Sequence, residues 1–411
     1  MSIFDSFLST PAMRAVFDGP AVIRAMLRFE AGLARAQADV GLIRAQAADA
    51  IADCCRLADF DPTQIGLDSG RAGSLAIPLV KALKDIVGRR HPEALPHVHL
   101  GATSQDVIDT AMVLVTRDAL ALLLTDVDAA IVALLRHAEQ HAATPMLART
   151  LMQPASVTSF GLVCAGWAAP LVRSRERLQG SADAALQVQL GGAVGTLAQM
   201  KGQGAEVRAR LAAALQLRDP GAAWHTQRDS WTALGCELGL LAGSLGKIAL
   251  DISLLGQYEV AEVTEPAEAG RGGSSAMPHK RNPVASMVAL AAAQRAPQQV
   301  AALLAAMPQQ HQRALGPWQA ELAEWPQLWL TVQGSAHALA GALPGLNVDV
   351  ARMRANLDRL RSELPKTAAD EWFDPALAER AAALAHQHAR DLQTRFDGVR
   401  TAVSSTKDAS P

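Results

Sequence analysis

The chain has 411 residues, of which 50% are hydrophobic, 4% are aromatic and 19% are charged. A chain of this length can form two or three domains around a large core, and its alanine- and leucine-rich composition favours helices. The net charge of -2 at pH 7 gives no bulk attraction to nucleic acid or to an acidic membrane surface, so any anion has to be bound locally.

Cysteine usage and the N-terminal residues indicate the compartment. No pair of cysteines has metal-ligand spacing, and we expect buried thiols in a reducing cytoplasm: Cys54, Cys55, Cys164 and Cys236. Residues 1–11 lack a basic region followed by an apolar core, so no signal peptide is expected. The most apolar run, residues 119–135, contains Asp126 and Asp128, which argues against a membrane span.

The helical pattern divides the chain into three domains. Residues 1–105 combine a helix-rich entry with short segments that proline and glycine interrupt. The central domain, residues 106–343, contains five long helical stretches, of which the first spans roughly 50 Å at 1.5 Å per residue. These stretches lie at about 107–141, 161–190, 230–263, 284–307 and 320–342, with an interruption at 144–161.

A proline–glycine pair at 344–345 marks the start of a small, shortened helical domain, residues 344–395. The polar residues 396–411 predict a disordered tail. The predicted fold class is therefore all-α. Five long, mostly apolar helices exceed what one chain needs for its core, so the remaining apolar faces predict contacts between subunits.

Residues 97–106, His-Val-His-Leu-Gly-Ala-Thr-Ser-Gln-Asp, form a glycine turn that leads into the first long helix. Thr103 or Ser104 is the expected N-cap, and Asp106 falls in the first turn. Hydroxyls and free N–H groups at a helix N-terminus can bind an anion, although the same residues can serve as a cap alone. His99 is either a site residue or a packing histidine.

Three further features precede the most polar loop of the chain. Residues 189–196, Gln-Leu-Gly-Gly-Ala-Val-Gly-Thr, contain three glycines that permit positive φ or close backbone approach, and we interpret them as a structural turn. Residues 224–229, Trp-His-Thr-Gln-Arg-Asp, open the third long helix. Glutamates at 262, 265 and 268 either restrain the cations of the loop that follows or are solvated.

Residues 270–283, Gly-Arg-Gly-Gly-Ser-Ser-Ala-Met-Pro-His-Lys-Arg-Asn-Pro, carry an unusual density of proton-handling and anion-holding groups. The glycines and prolines exclude a regular helix, so a polar loop lies between two rigid helices. Pro283 suits the first turn of the next helix, which places Lys280 to Asn282 near its positive end. We expect an anion to be held there; the alternative is a solvated surface loop.

This loop resembles the signature of the fumarase/aspartase superfamily, Gly-Ser-Ser-x-Met-Pro-x-Lys-x-Asn. All seven fixed positions match: Gly273, Ser274, Ser275, Met277, Pro278, Lys280 and Asn282. The resemblance extends over roughly residues 10–358 and includes the segments 97–106 and 189–196. It implies an all-helical, three-domain fold whose five central helices per subunit join in a twenty-helix homotetramer, with active sites that combine residues from three subunits.

The resemblance also indicates a branch of the superfamily. Residues 148–161 resemble the segment that reads Arg-Thr-His in fumarases and adenylosuccinate lyases, but Leu151 occupies the histidine position. Residues 224–229 and 311–321 resemble the cycloisomerase branch, which also lacks that histidine and lactonises a carboxylated muconate. Beyond Leu360 the chain departs from the family pattern.

By this resemblance the chain is expected to be an enzyme of aromatic catabolism that adds one substrate carboxylate to a conjugated double bond through a carbanion intermediate. Ser274 matches the catalytic serine, Lys280 is the cation expected to stabilise charge, and His99 is the second choice for proton transfer. The expected substrate-binding residues are Thr103, Ser104, Gln105, Gln153, Gln227, Arg228, Ser275, Met277, Asn282 and Arg313.

The implied partner is a small tricarboxylate substrate, with no metal, nucleotide or redox cofactor and no nucleic acid or membrane. Two alternatives stay open. The first is a fumarate-releasing lyase of the adenylosuccinate lyase type, against which Leu151 and the missing Ser-Ser-Ala-Glu-Arg run argue. The second is a catalytically inert homologue kept as a structural or binding protein, against which the intact loop argues.

Overall fold

The computed structural model describes residues 3–408 except residues 269 and 275, and within 402–408 it describes the helix but not the side chains. The helices are α1 (Pro11–Val16), α2 (Gly19–Asp39), α3 (Ala45–Cys54), α4 (Pro62–Ala72), α5 (Ala76–Arg90), α6 (Ser104–Gln140), α7 (Phe160–Ala185), α8 (Gly204–Leu215), α9 (Asp229–Leu255), α10 (Val284–Ala306), α11 (Pro317–Ala342), α12 (Val350–Glu363), α13 (Lys366–Trp372) and α14 (Pro375–Asp408). Two short antiparallel pairs accompany them: β1 (Pro145–Thr150) with β2 (Gln153–Ser159), and β3 (Val263–Thr264) with β4 (Asn347–Val348).

The five predicted long helices form the central bundle. α10 packs between α9 and α11, α7 packs on α6 and α9, and α11 packs on α6. The 37 residues of α6 contain no glycine or proline, so nothing interrupts its hydrogen bonds. Two helices end earlier than expected. Beyond Ala185 the backbone leaves α7 to pair with Arg218, and beyond Leu255 a glycine follows and the chain turns back on itself.

A cluster of tryptophans joins three of these helices in the core. The rings of Trp231 and Trp325 stack with centroids 4.0 Å apart, and Trp329 lies beside them. The indole Nε1 of Trp325 donates a hydrogen bond to Thr116 Oγ1 at 2.8 Å, so its polar group is satisfied within the bundle. Three of the chain's seven tryptophans thus meet where α6, α9 and α11 pack together.

The interruption predicted at 144–161 contains a β-hairpin. Thr150 of β1 lies opposite Gln153 of β2, which leaves a turn of two residues. These residues, Leu151 and Met152, have φ values of 51° and 65°, and their side chains are 96% and 70% exposed. Such a turn favours glycine or asparagine, so this apolar tip is held at a conformational cost.

The N-terminal helices pack against one end of the bundle. α2 contacts α3, α6 and α8. Its first turn is capped by Asp18, whose carboxylate accepts the N–H of Ala21 at 2.8 Å. Because α8 belongs to the central segment of the chain and still packs on α2, the division into three domains stays a prediction.

The prediction of a disordered tail from residue 396 is wrong for residues 396–408, which continue α14. Phe396 is fully buried, and the guanidinium of Arg400 lies 5.5 Å from its ring centroid. α14 packs along α7 and also contacts α6. This mostly polar segment is helical because one stripe of apolar side chains is enough to pack a helix against the bundle. Residues 409–411 lie outside the described residues.

One face of α9 is uncovered in the single chain. The outward-facing residues recur every three or four positions, and we call them the α9 stripe: Ala233, Cys236, Leu240, Gly243, Lys247 and Leu250. By length and composition α9 also suits a membrane span, with half of its apolar window buried. That buried half packs on α7, α10 and α11, as in a core helix. The spacing of the stripe is that of a surface which a further helix can cover.

We expect Phe396→Ala to lower the midpoint of thermal unfolding, because removing a fully buried phenyl ring costs about 3–5 kcal/mol. Circular dichroism of the intact protein measures this shift. Asp391→Ala, on the exposed face of the same helix, is the matched control and leaves the midpoint unchanged. Equal midpoints for both variants would show that this part of α14 does not pack on the bundle.

Candidate active site

A single buried carboxylate, Asp106, holds the start of α6. Its oxygens accept the backbone N–H groups of Thr103 at 3.0 Å, Gly191 at 3.0 Å and Gly192 at 2.9 Å. Its Oδ1 also lies 2.7 Å from Nε2 of His225. Three segments that are far apart in the sequence therefore meet at one side chain.

The glycine-rich segment at 189–196 makes a structural turn, as interpreted from the sequence. Gly192 has a φ of +67°, and a Cβ there would lie 2.7 Å from the carbonyl oxygen of Gly101. Only glycine permits this close approach. The two turns thus lie directly against each other at the start of α6.

Arg228, predicted to bind substrate, is instead buried between two carboxylates. Its Nη1 donates to Asp109 at 2.9 Å, its Nε donates to Glu321 at 3.0 Å, and its Nη2 donates to both. Burial disfavours the charged guanidinium, but the two carboxylates outweigh burial and raise the pKa of Arg228 above its ordinary value. Gln105 is also buried and donates to Asp109 at 3.2 Å. In the single chain both residues are supports beneath the site, and their predicted contact with substrate stays a prediction.

Two other predicted ligands, Arg313 and Thr103, are in contact above this network. Nη2 of Arg313 donates to Thr103 Oγ1, and its Nε donates to the carbonyl oxygen of Ala193 at 3.3 Å. Ser104 is partly exposed on the same turn as Thr103. Gln227 is exposed and lines an open groove of about 360 Å³ at the start of α9.

His99 lies against α2 and has a left-handed backbone conformation with a φ of 61°. Its Nδ1 is 2.7 Å from Glu30 Oε1, and the other oxygen of that buried carboxylate has no hydrogen-bond partner among the described residues. Burial disfavours the imidazolium, but the charge and hydrogen bond of Glu30, together with the charge of Asp106, outweigh burial and raise the pKa of His99. His99 is thus biased towards its protonated form.

The signature loop, residues 270–283, is pinned at both ends. The N–H of Asn282 donates to the carbonyl oxygen of Gly272 at 2.7 Å. Gly272 has a φ of +67°, and a Cβ there would lie 2.4 Å from the Asn282 oxygen, so only glycine fits. Glu265 accepts the N–H of Ala285 at 2.9 Å and so caps α10, as an acid at a helix start should.

Between these ends the functional groups of the loop are open. Ser274 Oγ accepts the backbone N–H groups of Met277 at 3.0 Å and Ala276 at 3.3 Å. The side chains of Met277 and Lys280 are exposed. Ser275, also predicted to bind substrate, lies outside the described residues.

The glutamates that precede the loop do not neutralise its central cation. Glu262 forms a bidentate ion pair with Arg149 at 2.9 Å, which ties the turn end of the hairpin to the segment that precedes the loop. Glu268 pairs with Arg271 at 3.3 Å. Within the described part of the chain Lys280 has no carboxylate partner, so its charge is available to a substrate.

The predicted site residues fall into two groups at opposite ends of the bundle. One, the helix-start group, lies where α6 and α9 begin: His99, Thr103, Ser104 and Arg313. The other, the loop group, lies beyond the ends of the same helices: Gln153, Ser274, Lys280 and Asn282. The 27 residues of α9 span about 40 Å. One chain therefore does not bring the two groups together.

The acids beneath the helix-start group are not among the site residues predicted from the sequence. Asp106 and Asp109 are one turn apart on an otherwise apolar stretch of α6, and buried carboxylates require partners. That spacing is the signal that predicts a buried polar cluster. Glu30 has no comparable signal, because its partner is 69 residues away.

Comparison with known proteins identifies the family. A family model described as lyase matches residues 8–297. The 3-carboxy-cis,cis-muconate cycloisomerase of Pseudomonas aeruginosa is 48% identical over 86% of this chain and 77% of its own. The nitrosuccinate lyase of Streptomyces davaonensis is 38% identical over 98% of this chain and 86% of its own.

A solved structure agrees with the sequence comparison. The 3-carboxy-cis,cis-muconate lactonizing enzyme from Pseudomonas putida superposes with a TM-score of 0.85 at 37% identity, over 97% of this chain and 99% of that one. The predicted all-α, fumarase/aspartase-like fold is confirmed. This chain is a member of the lyase family that includes the 3-carboxy-cis,cis-muconate cycloisomerases.

Proposed function

We propose that the protein converts 3-carboxy-cis,cis-muconate to a carboxymuconolactone in the breakdown of aromatic compounds. The relative that is 48% identical is named for this reaction, and the superposed structure is named for the lactonisation. Lys280 provides an exposed cation with no carboxylate partner among the described residues, Ser274 a hydroxyl supported by N–H donors, and His99 an imidazole of raised pKa.

The reaction is a ring closure followed by a proton transfer. One carboxylate oxygen adds to a conjugated double bond, and the new C–O bond closes the lactone. The electron pair of that double bond moves to the carbon beside another carboxylate and is held there as an aci-carboxylate. A proton then joins this carbon, so the trianion and one proton give the lactone dianion. Fixed cations and N–H donors stabilise such charge most effectively.

The observation that carries the proposal is the surroundings of Ser274. Its Oγ accepts two backbone N–H bonds, which also stabilise the alkoxide left when the hydroxyl gives up its proton. The hairpin tip presents Leu151, which cannot exchange a proton. We therefore assign proton delivery to Ser274 and binding of the adjacent carboxylate to Lys280 and Asn282. His99 is the second candidate for the acid.

We place the complete site between copies of the chain. The helix-start group and the loop group are separated by the length of α9, about 40 Å, and no small substrate contacts both in one chain. The α9 stripe supplies apolar surface for packing against another copy. A homotetramer with twenty central helices, each site drawing on three subunits, satisfies both features. The four free cysteines favour a cytoplasmic location.

A lyase reaction is the second candidate, because the nitrosuccinate lyase matches nearly the whole chain. A lyase breaks a bond next to a carbanion of the same type, and the same loop would stabilise that carbanion. An ultraviolet assay with 3-carboxy-cis,cis-muconate, nitrosuccinate and adenylosuccinate in parallel separates the two. Loss of muconate absorbance with lactone as the product supports the cycloisomerase. Release of a leaving group from either succinate derivative, with no lactone formed from the muconate, contradicts it.

Ser274→Ala removes one oxygen and little volume and leaves the hydrogen bond between Asn282 and Gly272 intact, so the ends of the loop stay pinned. We expect substrate to bind about normally while turnover falls on the order of 100-fold or more, the usual contribution of a positioned acid or base. Incorporation of deuterium from D₂O into the lactone, followed by NMR, slows in proportion. Normal turnover in Ser274→Ala with an inactive His99→Asn variant would transfer the role of the acid to His99.

Lys280→Ala removes the exposed loop cation and leaves the pinned loop ends intact. We expect kcat/KM to fall on the order of 100-fold or more, because one positioned electrostatic donor contributes about that much. Arg281→Ala, the neighbouring exposed cation, is the matched control and changes kcat/KM little. Similar kinetics for the two variants would show that the carboxylate is held elsewhere.

Mixing two inactive variants tests the sharing of sites. Ser274→Ala destroys the loop group and Arg313→Ala the helix-start group. If the two groups come from different subunits, about a quarter of the sites in randomly mixed tetramers are intact. We therefore expect co-refolded variants to regain up to about a quarter of the normal activity. Co-refolded protein with no activity above either variant alone would place both groups in the same chain.

A further inference from the structure

A cavity of about 380 Å³ opens beside the helix-start group. His99 and Ser104 form one side of it, and α5 forms the other. The charged residues that α5 contributes are Lys81, Lys84 and Asp85, next to apolar residues of its first turns. Two predicted site residues therefore share a cavity with two cations, Lys81 and Lys84, that are not predicted as site residues.

The cavity has a positive balance of charge. Both lysines are exposed, and neither has a carboxylate partner within the part of the chain that the structure describes. Asp85 is the one acid among the lining residues. His99 adds a proton-binding group on the opposite side, held there by Glu30. An anion that enters this cavity meets unpaired cations.

We infer that this cavity is the subsite for a substrate carboxylate that does not react, with Lys84 and Lys81 as its cations and Ser104 as a hydrogen-bond donor. The inference rests on the proposed function, because a trianion brings more charge than Lys280 can balance. The loop group serves the carboxylate beside the carbanion, and the α5 cavity serves another. Lys84 is then a specificity-determining residue that favours a tricarboxylate over a dicarboxylate, since a ligand lacking that carboxylate leaves the cation unpaired.

The charges around His99 are consistent with this arrangement. Glu30 of α2 and Asp106 of α6 raise the pKa of His99, whereas Lys84 of α5 acts in the opposite direction. Lys84 and His99 line the same cavity, so a carboxylate held between them meets both side chains. Because Lys84 lowers the pKa of His99, replacing it with a neutral residue raises that pKa further, which an NMR titration of the His99 ring measures without any substrate.

Calorimetric titration of the full chain with propane-1,2,3-tricarboxylate and with succinate tests the subsite. We expect Lys84→Met to weaken binding of the tricarboxylate by about tenfold or more, which corresponds to roughly 1.4 kcal/mol, and to change binding of succinate less than about twofold. Lys84→Arg keeps the charge and most of the affinity. Lys366→Met, an exposed lysine at the start of α13, is the matched control and changes neither.

The subsite is overturned if Lys84→Met weakens binding of both ligands equally or of neither. It is also overturned if the pKa of His99 does not rise in Lys84→Met. Neither ligand reacts, so the outcome is separate from the proposed reaction. A protein that is inactive on 3-carboxy-cis,cis-muconate and still shows binding dependent on Lys84 retains the subsite and refutes the reaction. An active protein whose KM is unchanged in Lys84→Met retains the reaction and refutes the subsite.

Discussion

The buried guanidinium of Arg228 fixes the end of the bundle on which the helix-start group is built. It lies between Asp109 of α6 and Glu321 of α11, directly before α9. A buried ion pair contributes little more than an apolar replacement, but losing one partner costs about 3–5 kcal/mol because a charge is left uncompensated. The network therefore defines geometry more than it adds stability. It fixes where three helices begin, and hence where Thr103 and Arg313 meet.

The two ends of the bundle differ in burial in a way that suits the chemistry proposed for them. At one end, buried acids hold turns and helix starts in a single arrangement, which is what a binding group needs to keep its geometry. At the other end, Ser274 and Lys280 lie on an exposed loop whose ends are pinned at Gly272 and Glu265. A loop of this kind can close over a substrate and exclude water during proton transfer.

The sequence predicts the signature loop and the five long helices because both signals are local. The burial of Arg228 is not predictable in this way, since its partners are 93 and 119 residues distant and the residue stands in a polar hexapeptide typical of a ligand site. The hairpin tip is missed because Leu151 and Met152 give no turn signal. The helical end of α14 is not predicted because the segment is mostly polar and its single apolar stripe, which includes Phe396, gives only a weak signal.

The length of α9 has a consequence for how this chain can vary. Because the helix-start group and the loop group lie beyond its two ends, the number of residues in the helix is part of the geometry of the site proposed between subunits. One inserted residue rotates everything beyond it by about 100° and advances it by about 1.5 Å. In the proposed assembly, such a change would move the loop group and turn part of the α9 stripe away from a neighbouring copy at the same time. Evolution can therefore exchange side chains along this helix far more readily than it can add or delete a residue.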